Sequence, residues 1–587
     1  MSRTLREERN QKIEEARDLL GDGGASGYAQ GLFFGRLDLQ TVLPYCVPSG
    51  GERATLDSFK PRVKEFFTRS VDSAAIDREG ATPPHVLRGL HELGVMTMSI
   101  PADLGGMGLS QAAYCEVMTE IGRHDGAIGV LVNVHQSIGI RSLMLFGSEE
   151  QRREWLPKLM RGETLGAFAL TEPNAGSDAG GVETRAELSA DGTHYLLNGY
   201  KQWITNGAAA GFLAVAAKVP GDRDARGREP ITAFLVTPDM PGFEVVEAAM
   251  DKCGIRGTMT SRLKFTNVAV PVENVLGPRG KGLRVALTLL DYGRITFGAT
   301  CTGAAQRCVE DALTHCKTRK QFGKSLFEFG LVKKKLARMA ALLYGMEAAT
   351  MVTAGVIDRG QEEYLLETAI LKVYASEALW EILNDTIQLF GGRAYFRDLP
   401  YERMMRDARL NTIAEGANDV LRTFIALVGM RDVGNSLKDV LESVKAPAAN
   451  LSKLGDFARK YLPGLNGPQF PLQNHQLAEL GHAVETATQQ FGRGIETLLI
   501  RRREGILDDQ FAQGRVADAV ISLYIAVCAL VRLDHDCGDP SMSSAELTRG
   551  MRVGSYLIRL MLDRVRDEMA AIGDPRDAEI LNVAEAL

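Results

Sequence analysis

Glu415 is a glutamate with unusual neighbours. It lies in NTIAEGANDV (411–420), with Ala414 before it and Gly416 after it. A surface glutamate normally has charged or helix-forming neighbours, and a glycine weakens a helix. Glu415 is therefore either a solvated loop acid or a carboxylate held where its basicity matters. An apolar pocket raises the pKa of a carboxyl toward the range in which it acts as a general base.

Two further segments place polar side chains where strands end. FALTEPNAGSD (168–178) ends a strand in a loop whose Thr171, Ser177 and backbone N–H groups could bind ring heteroatoms or a phosphate. GYKQWITNG (199–207) puts Trp203 beside Thr205. A tryptophan near a strand end is more often a core residue than a cofactor platform. Two such elements in one domain favour a planar ligand.

Two helix ends also carry candidate residues. TRKQFG (318–323) follows a helix, where basic residues are common for structural reasons alone. QLFGGRAYF (388–396) ends a helix in two glycines, an ordinary stop signal that also allows a ligand to approach the backbone.

The elements that must position these residues follow a clear order. Residues 1–54 form an N-terminal extension and 55–165 a helical domain, because the apolar spacing suits a 3.6-residue period. Residues 166–275 read as strands, with Asp191-Gly192 marking a hairpin. Residues 276–433 form a helical bundle. An extension, 434–587, holds a flexible linker (435–470) and more helices. The predicted fold is mainly α with a central, barrel-like β domain.

Composition excludes several classes of function. The net charge of −6, with both signs interspersed, lacks the basic face expected of a nucleic-acid-binding protein. The eight cysteines form no CxxC pair and the nine histidines show no HxH or HxxxH spacing, so we expect reduced thiols and no metal site.

The chain gives no targeting or membrane signal. The first residues mix basic and acidic side chains and lack an apolar run, so we expect no signal or transit peptide. The longest apolar stretch, Ala519–Val531, is shorter than a membrane span of about 20 residues and is predicted to be a buried helix.

The motifs together resemble those of the acyl-CoA dehydrogenase family. TEPNAGSD, NGYKQWITNG, RKQFG, QLFGG, MRDAR and AEGAND occur in the family's order. YAQGLFFGRL, VHQSIG and the long C-terminal extension are similar to the very-long-chain branch. The resemblance implies an FAD enzyme that converts long-chain fatty acyl-CoA to trans-2-enoyl-CoA in fatty acid β-oxidation.

The resemblance implies that FAD lies between the β domain and the bundle. The residues it assigns to FAD are Phe168, Leu170, Thr171, Ser177, Trp203, Thr205, Arg319, Gln321, Phe322, Gln388, Gly391, Gly392, Ala417 and Asp419. Trp203 would pack on the flavin ring and Thr205 would bond near N5. Arg319 and Phe322 would contact the FAD of a partner subunit, which implies a homodimer. At Ala417 the family often has threonine, so a hydroxyl that commonly contacts FAD is absent.

By the same resemblance, Glu415 is the base that removes the α proton, and its backbone N–H helps to hold the thioester oxygen. Some branches place the base on the preceding long helix, where this chain has Gly293, which cannot serve. Hydride would pass to flavin N5.

The implied substrate residues are Ser177, Asp291, Arg294, Gly416, Gly129 and Asn133. An ordinary helix ion pair is the alternative for Asp291. Gly129 and Asn133 match positions where medium-chain relatives carry long polar side chains, which suggests a deeper pocket.

The resemblance also implies an electron acceptor, and it leaves two alternative functions open. The implied acceptor is an electron-transfer flavoprotein, and the alternatives are an acyl-CoA oxidase using oxygen or a respiratory assembly or scaffold protein on the same fold. Residues 435–464, with five basic and three acidic side chains, are either a peripheral membrane contact or a solvated linker. The expected location is the cytoplasm of a bacterial-like cell, peripheral to the inner membrane.

Overall fold

The structure is a computed structural model that describes residues 27–221, 223, 227, 229–445 and 470–587. The chain divides into two compact units. The large unit comprises Val47–Met339 and Ala375–Ala417, and the C-terminal unit comprises the described parts of Met1–Cys46, Ala340–Tyr374 and Asn418–Leu587. These units follow proximity in space rather than chain order, so the four predicted domain boundaries stay a prediction.

The first part of the large unit is helical, as predicted. Its α-helices are Gly50–Ser70, Ser73–Glu79, Pro84–Leu93, Gln111–His124, Gly126–Asn133, Arg141–Phe146 and Glu149–Met160. Local chemistry explains several of their ends. Ser49 and Glu52 form a capping box at the first of these helices, and Gly94 ends the third in a left-handed conformation.

The strand prediction for 166–275 is also confirmed. The strands are β1 (Leu165–Ala169), β2 (Arg185–Leu188), β3 (His194–Thr205), β4 (Ala210–Lys218), β5 (Ile231–Val236), β6 (Phe243–Glu247), β7 (Thr260–Pro271) and β8 (Val275–Leu276). They pair as one sheet along the path β6-β7-β3-β2-β4-β5-β8, with β1 parallel to β4. The hairpin predicted at Asp191-Gly192 joins β2 and β3 in antiparallel register.

The sheet holds its own apolar core. Tyr195 and Leu197 of β3 are buried with Phe234 of β5 and Phe265 of β7. Tyr195 packs edge-on against Phe234, with ring centroids 5.0 Å apart. Burial of such side chains is the main force that holds strands distant in sequence together.

One helical segment connects the first helices to the sheet. Residues Val134–Ile140 form a π-helix, which the sequence pattern did not predict. The N–H of Gly166 in β1 donates to Nδ1 of buried His135, 3.2 Å away. A Cβ on Gly139 would lie only 2.9 Å from Gly166, so the glycine allows this close backbone contact.

Long helices return after the sheet. Gly282–Thr318 is followed by a two-stranded turn of β9 (Lys320–Gln321) and β10 (Lys324–Ser325). The helices Gly330–Asp358, Leu365–Phe390 and Tyr401–Leu410 follow. The long helices predicted from the aliphatic stripes are therefore present.

The C-terminal unit is helical. Besides parts of Gly330–Asp358 and Leu365–Phe390, its α-helices are Tyr28–Phe33, Asn418–Lys445, Ala478–Arg502, Gln510–Gly538, Ser544–Ala570 and Arg576–Glu585. Every residue of Ala519–Val531 is buried, as predicted for this stretch. Half-buried Arg532 forms an ion pair with Glu347 in this unit, with 2.6 Å between the charged atoms.

Among the residues that the structure describes, three helical segments are long and apolar enough to cross a membrane by length and composition alone: Gly126–Phe146, Gly330–Asp358 and Gln510–Gly538. The sequence predicted a buried helix at the apolar stretch Ala519–Val531, and the structure extends this helix to Gln510–Gly538. Between 72% and 89% of each apolar window is buried inside the protein. Their apolar surfaces are thus used in the protein core.

Candidate functional site

Glu415 lies in the short connection between the helices Tyr401–Leu410 and Asn418–Lys445. Its side chain is half-buried, and its backbone has a φ of 56°. Left-handed backbone is uncommon for a residue with a side chain and is concentrated at functional sites. Gly416 follows with a φ of 96°, a conformation that glycine adopts easily. The loop thus turns Glu415 inward instead of leaving it on a helix surface.

The Glu415 carboxylate lies against Gly293 of the helix Gly282–Thr318. A Cβ at Gly293 would be 3.4 Å from Oε2 and 3.6 Å from Oε1 of Glu415. The two sequence positions considered for a base therefore point into the same space. Only one of them carries a carboxylate in this chain.

Arg294 and Asp291 lie on the same helix as Gly293 and are both buried. Arg294 Nε donates to the backbone oxygen of Glu415 at 3.2 Å, and its NH1 donates to Asp291 at 2.9 Å. Asp291 thus forms the helix ion pair considered as its alternative role. Together the two residues hold the Glu415 loop by its main chain.

Asn133 reaches the carboxylate from the other side. Its Nδ2 donates to the backbone oxygen of Gly293 at 3.1 Å and to Oε1 of Glu415 at 3.4 Å. Four predicted site residues, from three separate parts of the sequence, are therefore brought together around Gly293: Asn133, Asp291, Arg294 and Glu415.

A mainly apolar cavity of about 40 Å³ adjoins this group. Residues from five helices line it, including Gly129, Asn133, Phe297, Thr300, Leu379 and Met404. Its volume suits a few water molecules. A Cβ at Gly129 would lie 2.6 Å from Cγ2 of Thr300, so Thr300 fills the space that the glycine leaves. Gly129 therefore allows two helices to approach, and it lines the cavity as well.

A second group of predicted residues lies on the sheet. Phe168, half-buried, is in β1, and Thr171 follows the end of that strand. The backbone oxygen of Thr171 accepts from Gln202 N at 3.0 Å, which places it beside Trp203. Trp203 is 57% exposed and has a φ of 60°, so it is not a core residue. Its exposed ring beside half-buried Thr171 and Thr205 suits a planar ligand such as a flavin ring.

The loop after β1 is fixed by a buried ion pair that the sequence interpretation missed. Lys201 Nζ donates to Glu172 Oε1 at 2.6 Å and to the backbone oxygen of Leu170 at 2.8 Å. Glu172 also accepts from the N–H and hydroxyl of Thr184. Burial lowers the pKa of Lys201 to about 8, although Glu172 opposes this effect. A lysine within a predicted strand, in KQWIT, was the available sequence signal.

Ser177 lies further along the same loop and is exposed. Leu170, in contrast, is 8% exposed and forms part of an apolar cluster with Ala175 and Val182. The loop thus presents Ser177 while Leu170 anchors it.

A third group lies at two helix ends. The His315 ring stacks on Phe390 with centroids 4.1 Å apart, so the end of Gly282–Thr318 meets the end of Leu365–Phe390. The predicted residues at these ends are all exposed: Arg319, Gln321, Phe322, Gln388, Gly391 and Gly392. Phe322 is 93% exposed with a φ of 51°. An aromatic ring held out in this way is suited to contact another molecule.

The last two predicted FAD residues flank the start of the helix Asn418–Lys445. Ala417 is half-buried in the Glu415 loop, and Asp419 is an exposed acid in the first helical turn of the C-terminal unit.

Asp407, in the MRDAR motif, received no role from the sequence but is buried and lines the cavity. Its Oδ1 accepts from Ile255 N at 2.5 Å. Burial, and secondarily the nearby Asp125, raise the pKa of Asp407 to about 7. An aspartate inside a short amphipathic helix gave no sequence signal for this burial.

Four family models match the chain. They are described as the acyl-CoA dehydrogenase N-terminal domain (54–163), middle domain (167–268) and C-terminal domain (280–429), and the ACAD9/ACADV C-terminal domain (475–581). The order of these models follows the order of the helical, strand and helical segments described above.

Known proteins that are similar to this chain carry names that agree with these family models. The human mitochondrial very long-chain specific acyl-CoA dehydrogenase is 35% identical over 95% of this chain and 86% of its own length. An acyl-CoA dehydrogenase from Bacillus anthracis, solved in complex with FAD, superposes with a TM-score of 0.77 and 26% identity over 93% of this chain and 92% of its own. A structure of the electron transferring flavoprotein of Acidaminococcus fermentans matches at a TM-score of 0.59 and 32% identity, over 63% of this chain and 96% of its own.

Proposed function

Because the chain belongs to the acyl-CoA dehydrogenase family, we propose that it is an FAD-dependent dehydrogenase of long-chain fatty acyl-CoA. The reaction removes one hydrogen each from C2 and C3 of the acyl group and gives the trans-2-enoyl-CoA. The proposal is carried by one observation: the Glu415 carboxylate is turned into a buried niche against Gly293 and Asn133.

In this proposal Glu415 is the base. Its carboxylate takes the proton from C2, so the C2–H bond breaks and an O–H bond forms on Glu415. The electron pair left at C2 is delocalised onto the thioester oxygen, which the backbone N–H of Glu415 can stabilise. Bound FAD supplies the two-electron oxidation by accepting hydride from C3. Arg294 keeps the loop in place by holding the main-chain oxygen of Glu415, 3.2 Å from its Nε.

The exposed residues of the sheet would hold the flavin end of FAD. Trp203 offers a ring face, Thr171 and Thr205 offer hydroxyls, and Ser177 lies on the loop that would reach the pyrophosphate. Lys201 and Glu172 fix the base of this loop. A preformed loop lowers the entropic cost of binding the cofactor.

The exposed group at the helix ends supports a homodimer. Phe322 extends into solvent at 93% exposure, and Arg319 lies three residues before it. In the proposed dimer these residues contact the FAD of the partner subunit, and Arg319 recognises its pyrophosphate.

The proposed electron acceptor is an electron-transfer flavoprotein. The structural match to a flavoprotein of that name is one support for it. An oxidase that passes electrons to oxygen is the second candidate. A scaffold role would not require the buried carboxylate beside Gly293, so that arrangement favours an enzyme.

We propose long-chain acyl groups as substrates on the strength of the very-long-chain relatives. The apolar cavity beside Asn133 lies where the acyl chain would enter. At about 40 Å³ it requires rearrangement of its lining to admit a long chain.

We further propose a cytoplasmic location with peripheral contact to the inner membrane. None of the eight cysteines forms a disulfide, which suits a reducing compartment. The basic segment 435–464 is the proposed contact. Its first part belongs to the helix Asn418–Lys445, and 446–464 lies outside the described residues.

The test is anaerobic mixing of the FAD-loaded protein with palmitoyl-CoA while the flavin absorbance is followed. We expect the absorbance to bleach, and re-oxidation by the flavoprotein rather than by air would identify the acceptor. Glu415→Gln should keep FAD but bleach slower by at least about a hundredfold, the usual contribution of a positioned base.

The matched control is Glu187→Gln, an exposed glutamate on β2. It should bleach like the natural protein. Absence of bleaching with acyl-CoA of any length would refute the enzymatic proposal. Equal rates in Glu415→Gln and Glu187→Gln would show that another residue is the base.

A further inference from the structure

A line of buried polar side chains leads away from the Glu415 carboxylate. Its members are Asn133, Thr296, Ser137 and Tyr114, and each is at most 2% exposed. They come from four elements: Gly126–Asn133, the long helix Gly282–Thr318, the π-helix and Gln111–His124. Burying polar groups this deeply costs free energy unless they are hydrogen-bonded, so each of them is expected to have a hydrogen-bond partner.

Each member contacts the next one. Tyr114 Oη lies 3.5 Å from Ser137 Oγ, and Ser137 Oγ lies 3.1 Å from Thr296 Oγ1. Thr296 Oγ1 donates to Asn133 Oδ1. Asn133 Nδ2 then donates to Glu415 Oε1 at 3.4 Å, a long contact of the kind that often tightens when substrate binds.

The orientation of the Asn133 amide follows from its partners. The backbone oxygen of Gly293, 3.1 Å from Nδ2, can only accept a hydrogen bond. A flipped amide would place its oxygen against that carbonyl and against the Glu415 carboxylate. The two N–H groups of Asn133 are therefore directed at Gly293 and Glu415.

The direction of the remaining bonds follows from proton counting. Thr296 has one hydroxyl proton, which it gives to Asn133, so Ser137 must donate to Thr296. Ser137 also has only one proton, so Tyr114 donates to Ser137. Every donor in the line points toward Glu415, and aligned hydrogen bonds of this kind strengthen one another.

We infer that Asn133 is a positioning residue that holds Oε1 of Glu415 and leaves Oε2 to take the substrate proton. The inference rests on the proposed function, in which Glu415 is the base. Asn133 donates to the charged form of the carboxyl and so keeps it ionised in a niche that otherwise disfavours charge.

Charged Arg294 contacts Glu415 at a different atom. Arg294 donates to the main-chain oxygen of Glu415 and is paired with Asp291. The neutral amide of Asn133 is thus the donor that contacts the carboxylate from the first helical domain. A role limited to lining the cavity would leave the ionisation of Glu415 unchanged, and this difference can be measured.

The test compares Asn133→Leu with the natural protein in two assays. In the first, flavin bleaching by palmitoyl-CoA is followed against pH. The second uses 3-thiaacyl-CoA, which can lose its α proton but, with sulfur at the β position, no hydride; the new long-wavelength absorbance then reports proton removal alone. We expect the midpoint of both profiles to rise by about 1 to 2 pH units, because hydrogen bonds to charged groups are worth that much.

A readout without turnover comes from infrared titration of the carboxyl band in protein labelled with ¹³C-glutamate. Subtracting the spectrum of Glu415→Gln isolates the Glu415 band. Its midpoint should rise in Asn133→Leu by the same amount as in the kinetic profiles.

Thr296 offers a milder pair of variants in case Asn133→Leu folds poorly. Thr296→Val keeps the shape but loses the hydroxyl that orients Asn133, so the midpoint should rise, by less than in Asn133→Leu. Thr296→Ser keeps the hydroxyl and should restore the natural midpoint.

The matched control is Gln136→Leu. Gln136 is another fully buried amide, which donates to Val95 O at 2.6 Å and does not contact Glu415. It should lose stability without a shift in the midpoint.

Three outcomes separate the two proposals. A natural protein that never bleaches refutes the proposed function, and the infrared midpoint still decides the contact. A natural protein that bleaches, with unchanged midpoints in Asn133→Leu and Thr296→Val, refutes the inference alone. Equal shifts in Gln136→Leu would also overturn it, because general loosening would then explain the effect.

Discussion

Three predicted site residues share an uncommon backbone conformation. Trp203, Phe322 and Glu415 all have positive φ angles between 51° and 60°. Such a conformation costs on the order of 1 kcal/mol for a residue with a side chain, so surrounding structure must hold it. In this conformation the side chains of Trp203 and Phe322 are exposed, and the Glu415 carboxylate lies against Gly293.

Asp407 shows how one buried acid sets a pH dependence of stability. Its pKa is near 3.8 in the unfolded chain and about 7 in the folded protein, chiefly because of burial. Between these values the folded state binds more protons than the unfolded state, so stability falls as pH rises from about 4 to 7.

Asp407→Asn should remove this loss. Asparagine does not titrate, and its Oδ1 can still accept from Ile255 N. Relative to the natural protein, the variant should gain on the order of 2 to 4 kcal/mol of unfolding free energy between pH 4 and pH 8. Urea titration at several pH values measures this. Asp398→Asn, at an exposed position, is the control and should show no such gain. If the difference in unfolding free energy between Asp407→Asn and the natural protein does not change with pH, the raised pKa of Asp407 is refuted.

At the level of elements, close helix contacts depend on glycine. Gly129 packs on Thr300 of the helix Gly282–Thr318, with 2.6 Å between its would-be Cβ and Cγ2 of Thr300. This contact brings Asn133, one turn further along, within reach of Gly293 and Glu415. Gly129, which the sequence suggested as part of a deeper pocket, thus also serves helix packing.

Gly129→Ala should therefore destabilise the protein by about 1 to 3 kcal/mol through overpacking. Thr300→Ser removes the clashing methyl group and should recover most of this loss in the double variant. Thermal unfolding of the natural protein, the two single variants and the double variant measures the coupling free energy between positions 129 and 300.

Gly550→Ala is the control, because no atom lies within 4 Å of its would-be Cβ in the helix Ser544–Ala570. It should be neutral or stabilising by up to about 1 kcal/mol. A Gly129→Ala protein as stable as Gly550→Ala would contradict the packing role.

For the whole molecule, the C-terminal helices form part of a shared core. The helix Gln510–Gly538 packs against Asn418–Lys445 and Tyr28–Phe33. Phe33 also meets Phe491 edge-on, with centroids 5.5 Å apart. The extension is therefore integral to the unit that contains the residues immediately after Glu415.

A chain ending at Lys445 should be insoluble or aggregated, because it would expose the apolar faces that Phe491 and Tyr524 cover. A chain ending at Ala571 is the control. It loses only Arg576–Glu585, which has no buried residue, and should stay soluble with FAD bound. Soluble yield and size-exclusion profiles show whether each shortened chain is soluble and monodisperse. A monodisperse, FAD-binding chain ending at Lys445 would show that the extension is dispensable.

The sequence by itself determined the order of elements and the identity of the family. Apolar periodicity and the Asp191-Gly192 turn depend on neighbouring residues only, so the helices and the hairpin were predictable. The motif order from TEPNAGSD to AEGAND was sufficient for the resemblance. The choice of Glu415 over Gly293 as base also needed no coordinates, since only one of the two positions has an acid.

Only the tertiary structure decided which distant residues touch. Asn133 and Glu415 are separated by 282 positions, and Lys201 and Glu172 by 29, so no local pattern couples them. The contact between Gly129 and Thr300 was not predicted for the same reason, because the two residues lie on different helices. Burial and hydrogen bonding depend on the folded surroundings, so the roles proposed for Asn133 and Asp407 could be inferred only from the structure.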